Sequence, residues 1–151
     1  MSHDDSRLLP IRGVLGRWLL LVGALSAALA LAGCGSPEAD SAHDAAVRFA
    51  NAAAQDPRQA CALLAPRTRD KVSEDGDGDC AAGLKAAGLP SAADTPGPKR
   101  VEVAGHTARV ALAGQAIFLS LFNDGWKVTA AGCSRESTND NVPYRCDVEG
   151  G

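Results

Sequence analysis

The side chains with reactive chemistry in this 151-residue chain are above all its five cysteines, and their spacing divides them into one and four. Cys34 stands directly after Leu31-Ala32-Gly33, at the end of an uncharged apolar run. Cys61, Cys80, Cys133 and Cys146 follow at wide intervals. An even number of thiols behind an export leader favours disulfides over free cysteines. Three pairings satisfy four cysteines. The local ones, Cys61 with Cys80 and Cys133 with Cys146, are favoured because each joins segments expected to lie side by side. Loops of that size stabilise by about 3 kcal/mol each in the chain-entropy picture. Zinc is disfavoured, because no C-x-x-C knuckle occurs and the ligand spacings are wrong.

Residues 1–17 carry Arg7, Arg12 and Arg17 around the short apolar patch Leu8-Leu9, without a twin-arginine pair, which points to general secretion. Residues 18–31 form an uncharged run of signal-peptide rather than spanning length; the alternative is an uncleaved membrane helix. Leu31-Ala32-Gly33-Cys34 resembles the lipobox of bacterial lipoproteins. The resemblance implies diacylglyceryl transfer to Cys34, cleavage before it and often N-acylation, so that two or more chains give stable anchoring. The expected organisation is a signal peptide over 1–33, a polar tether over 34–41 and one α+β domain over 42–151. The expected location is the extracytoplasmic face of a bacterial cell membrane. Removing 33 residues leaves 118, enough for one modest core. Three arginines and two aspartates leave with the leader, which takes the net charge from −3 to −4. With no basic stripe and no interleaved aromatics, nucleic-acid binding is disfavoured.

The remaining candidates for chemistry are few. Glu74-Asp75-Gly76-Asp77-Gly78-Asp79 invites comparison with a calcium loop. An EF-hand counted from Asp75 needs glycine sixth and glutamate twelfth, and those places hold Cys80 and Ala86. The stretch reads as an acidic turn in which Asp77 or Asp79 caps a helix from Cys80 to Ala87. The mature histidines are His43, early in the first helix, and His106, in an expected turn; the one tyrosine is Tyr144. No G-x-S-x-G, phosphate loop or H-E-x-x-H occurs, so no catalytic residue, metal or cofactor is assigned.

The elements that position these groups change character midway. Ser41 is expected to cap a first helix whose buried stripe is Ala46, Val47, Phe49, Ala50 and Ala53. Asp56-Pro57-Arg58-Gln59 restarts a helix that Pro66 ends, and residues 67–72 read as a basic turn. From Arg100 the pattern has period two. Tight turns at Gly105-His106, Ala113-Gly114 and Asp124-Gly125 predict a four-stranded antiparallel meander. One face collects Val101, Val103, Ala108, Val110, Leu112, Ile117, Leu119, Leu121, Trp126, Val128 and Ala130, and Glu102 falls opposite Arg109 on the other. Helices laid on the apolar face complete an α+β class. The polar face also carries Phe118 and Phe122, for which two readings stand: the tail from Cys133 folds back over them with Val142, Pro143 and Tyr144, or they form a partner or homodimer surface.

Val47-Arg48-Phe49, Ala60-Cys61-Ala62-Leu63-Leu64-Ala65, Asp124-Gly125-Trp126-Lys127-Val128 and Pro143-Tyr144-Arg145-Cys146 together resemble small bacterial lipoproteins of uncharacterised function. The fold of that group is similar to the nuclear transport factor 2-like cone, also used by ketosteroid isomerase. The resemblance implies helices over a curved sheet around a pocket. Val101, Val110, Ile117, Leu119, Trp126 and Val128 are the residues that would line it, and the reading that weighs more for the same six is plain core. A cone isomerase needs an acidic base and an oxyanion donor inside that pocket, and the expected inward face offers neither. The reading is therefore a membrane-anchored, non-catalytic module for a small apolar ligand or an envelope protein. A ketosteroid isomerase-like enzyme is the alternative.

Overall fold

The computed structural model describes residues 36–92, 100–137, 139 and 141–150. Four helices precede a five-stranded antiparallel sheet, an α+β arrangement. The helices are α1 (Pro37–Gln55), α2 (Pro57–Cys61), α3 (Pro66–Asp75) and α4 (Cys80–Ala87). The strands are β1 (Arg100–Ala104), β2 (Thr107–Leu112), β3 (Gln115–Phe122), β4 (Gly125–Cys133) and β5 (Val148–Glu149), in the spatial order β1-β2-β3-β4-β5. Cys34 and the leader lie outside the described residues. None of the described helices is long and apolar enough to cross a membrane.

α1 starts earlier than expected, so residues 37–41 are helix and not tether. Pro37 occupies the first turn, where its missing N–H costs nothing, and Glu38 and Asp40 complement the positive end of the helix dipole. Ser41 is then no cap. Its hydroxyl donates to the Glu38 carbonyl and accepts from Trp126 Nε1 at 3.0 Å, which ties α1 to β4. The buried stripe of α1 is mostly alanine around Phe49, which is fully buried against the sheet.

A second difference is α3, where the sequence reads as a turn. Pro66 ends one segment and opens the next helix, whose buried face consists of Thr68 and Val72, four residues apart. Two such positions give no apolar period to detect. Lys71 pairs with Asp75 and Glu74 on the exposed side, which raises the lysine pKa, foremost through the Asp75 hydrogen bond. α4 follows its expected bounds. Asp79 is its N-cap, accepting from the Ala81 and Ala82 amides at 2.8 and 3.3 Å, and Gly88 stops it in the left-handed conformation. The disulfides are the two local ones, Cys61 with Cys80 joining α2 to α4, and Cys133 with Cys146 closing the tail.

The first two hairpins turn at Gly105-His106 and Ala113-Gly114, in the expected register, with Glu102 opposite Arg109. The third turns one residue earlier than expected, at Asn123-Asp124, so that Leu121 faces Trp126 and Leu119 faces Val128. The inward set then breaks at Thr129. Phe118 pairs with Ala130 but Leu119 with Val128, leaving Thr129 as an extra residue in β4. Beyond this bulge the facing is inverted, so Ala131 and Cys133 are buried and the expected Ala130 is only half-buried. β5 is an unanticipated fifth strand that pairs Val148 with Ala131. The same edge of β4 is joined by residues 63–65, through Val128 N–H to Leu63 O and Ala65 N–H to Val128 O at 2.9 and 2.8 Å.

Candidate functional site

Strand alternation places Phe118, Ser120 and Phe122 on the sheet face away from α1. The structure treats the two phenylalanines differently. Phe118 is covered: the Tyr144 ring meets it edge-on, with centroids 5.1 Å apart and planes at 75°. Tyr144 is brought there by the Cys133 to Cys146 disulfide and the adjoining pairing of Ser134 with Arg145. Arg109 Nη1 donates to the Tyr144 hydroxyl at 2.6 Å, and the Arg135 guanidinium stands 4.5 Å from the centre of the ring. Glu102 completes the set by pairing with Arg109, and their hydrogen bonds hold the guanidinium pKa above its ordinary value. A cleft of about 310 Å³ runs beside this cluster, lined by Glu102, Thr107, Arg109, Phe118, Ser120 and Thr129 among others.

Phe122 is open. It is 40% exposed, its neighbour Leu121 is 37% exposed, and these are the large apolar side chains that stand exposed among the described residues. Phe122 borders a second cleft, of about 330 Å³, with Ala65, Pro66, Arg67, Thr68, Thr129 and Gly150. Most of that lining is apolar, and Arg67 supplies the one formal charge. Thr68 Oγ1 donates to the Thr129 carbonyl at 3.1 Å, so the first turn of α3 is fixed to the β4 bulge and forms the cleft wall. Residues 66–68 carry no periodic sequence signal for this cleft because they lie on the unanticipated helix, with Ala65 as its N-cap. Pro66 at a first-turn position is the one local signal that could have found them.

The six residues expected to line an interior pocket are brought together, and the place they occupy is the core. Val110, Ile117, Leu119 and Val128 are buried to within 1% of fully, Trp126 is 8% exposed, and Val101 packs on their margin. They form one cluster with Phe49, Leu64 and Leu84. Of the six, Leu119 alone borders any of the clefts described here. The third cleft, about 590 Å³, lies along α1 and α2 and is lined by polar side chains including Arg48, Asn51, Gln55, Asp56 and Gln59.

The titratable candidates are dispersed. His43 lies in α1 with Nδ1 3.6 Å from Asp44 Oδ1, too long for a hydrogen bond. His106 is in the β1–β2 turn, and Tyr144 is engaged as above. Among the described residues no three His, Cys, Asp or Glu side chains converge as metal ligands. No family model, curated protein or solved structure matches the chain.

Proposed function

We propose that this protein is an extracytoplasmic lipoprotein, held to a bacterial membrane through Cys34, whose disulfide-stapled domain is a non-catalytic binding module. Helices over one face of an antiparallel sheet fit the plan of the nuclear transport factor 2-like cone that the sequence resembles. The working surface is the opposite face, at its Phe122 end. One observation carries this reading: an aromatic side chain left 40% exposed at an apolar cleft of about 330 Å³. Leaving 40% of this ring in water forgoes about 1 kcal/mol of burial, and with Leu121 beside it and the apolar cleft below, the exposure supports a contact site. The cleft fits a small apolar ligand or an apolar side chain of an envelope protein, with Arg67 available to a polar end. The acidic balance of the mature chain leaves no reading for nucleic acid.

Native mass spectrometry of the Cys34→Ser domain, exported with its disulfides formed and exposed to a membrane lipid extract, tests the module. A discrete added mass, lost in Phe122→Ser with the fold intact, is the expected result. A dimer split by the same substitution assigns the surface to self-association instead. A bare monomer, with no crosslink from position 122 in intact cells, overturns the reading. The anchor is tested separately, by the intact mass of the membrane-extracted full chain.

A further inference from the structure

We propose that the β3–β4 hairpin is a second membrane contact, with Leu121 and Phe122 resting in the acyl region of the bilayer that holds Cys34. The inference rests on the lipid anchor proposed above and names the apolar partner of the Phe122 end.

Three observations converge. First, the two exposed large apolar side chains of the described domain are adjacent in one strand, so they project to opposite faces of the same tip. A protein partner docked on one face covers one of them, whereas a fluid apolar medium receives both. Second, the tip lies at the end of the domain where the chain arrives from Cys34. Leu121 is paired across the hairpin with Trp126, whose indole donates to Ser41. Ser41 lies five residues after Ser36, about 7.5 Å along α1, and Cys34 is two residues before Ser36, at most about 7 Å further. An acylated Cys34 therefore holds this end of the sheet close to the lipid surface.

Third, the charges near the tip supply no attraction to anionic headgroups, so burial of the two apolar side chains has to carry the contact. Asp124 and Lys127 pair at 3.0 Å, and the first turn of α1 contributes Glu38 and Asp40 against Arg67 in the cleft. With no cationic excess, the contact does not depend on anionic lipid. Two apolar side chains bind a bilayer weakly alone, but the anchor makes their insertion an intramolecular event at high effective concentration. The domain then stands with the β3–β4 turn down and the Ala113-Gly114 turn away from the membrane.

The test uses the full chain, extracted and reconstituted into phosphatidylcholine vesicles with or without brominated acyl chains. Intact mass first reads acylation at Cys34; an unacylated protein removes the anchor and this inference with it. In the acylated protein, Phe122→Trp emission is expected to be quenched by the brominated chains. The signal of position 122 is read as the difference from the parent, whose own indole is Trp126 at 8% exposure, and Ala113→Trp at the opposite turn adds no quenched emission. In a Cys34→Ser chain freed of residues 1–33, Leu121→Ser with Phe122→Ser lowers vesicle partitioning by about tenfold. Acylated, vesicle-bound protein whose residue 122 indole is unquenched overturns the hairpin contact while leaving the anchor standing. A dimer dispersed by Phe122→Ser, with the indole shielded from lipid, gives the tip to a second copy instead.

Discussion

The hydroxyl of Thr68 donates to the carbonyl oxygen of Thr129, 61 residues away in sequence, and this bond fixes a helix to the bulge of β4. The extra residue of a bulge loses its ladder partner, and the buried Thr68 supplies one. Thr68→Val keeps the shape and removes the donor. The variant is expected to lose about 1–2 kcal/mol, read as a drop in Tm of about 5 °C, while Thr68→Ser stays close to the parent. A valine variant as stable as the parent would show that water satisfies the carbonyl.

Gly83 sits where α4 crosses α3, and a Cβ there would stand 2.1 Å from the Val72 carbonyl oxygen and 2.9 Å from its Cγ1. Neither backbone can yield without parting the two helices that the acidic turn joins. Gly83→Ala is therefore expected to destabilise by about 2 kcal/mol despite the better helix propensity of alanine. Urea unfolding of the two proteins decides it, and equal midpoints would refute the close approach.

The tail strap depends on the Cys133 to Cys146 disulfide. Replacing both cysteines by serine is expected to cost about 3 kcal/mol and to release Tyr144 from Phe118. Tyr144 fluorescence and the ring-current shift of Phe118 follow the release. Tyr144→Phe, by contrast, keeps the ring contact and loses only the Arg109 bond. A strap that stays ordered without the disulfide would assign its position to the Ser134–Arg145 pairing and the Arg109 and Arg135 contacts.

Asp124 has its carboxyl pKa held below the ordinary value, foremost by the Lys127 hydrogen bond. A depressed folded pKa means that the pair contributes above the unfolded pKa and that the contribution fades as pH falls through the folded one. The group is fully exposed, so the effect on stability is small. An NMR-monitored titration is expected to place Asp124 below the ordinary carboxylate range in the parent and to return it there in Lys127→Met. An unmoved midpoint would dissolve the pair.

Much of this fold was legible because it is local. Asp79 ahead of Cys80 and Gly88 after Ala87 delimit α4 through backbone groups that need partners within a turn. Strict alternation set the first two hairpins, since a slip by one residue would turn Val110 and Ile117 to solvent. The site was legible in part. Phe118 and Phe122 stood out as aromatics on a polar face, but both have the same local pattern, and nothing in it says that Tyr144 returns to one and not the other.

What the sequence by itself determined is the class, the pairing of neighbours and the two local disulfides, because caps, turn residues and period-two burial act over a few residues. The tertiary structure alone decided three things: that residues 66–75 are helix, that β4 changes facing at Thr129, and that Phe122 stays open beside Pro66. The physical reason is common to all three. Each depends on a partner far along the chain, namely Thr129 for Thr68, Val148 for Ala131 and Tyr144 for Phe118, and such contacts leave no periodic trace in the segment that makes them.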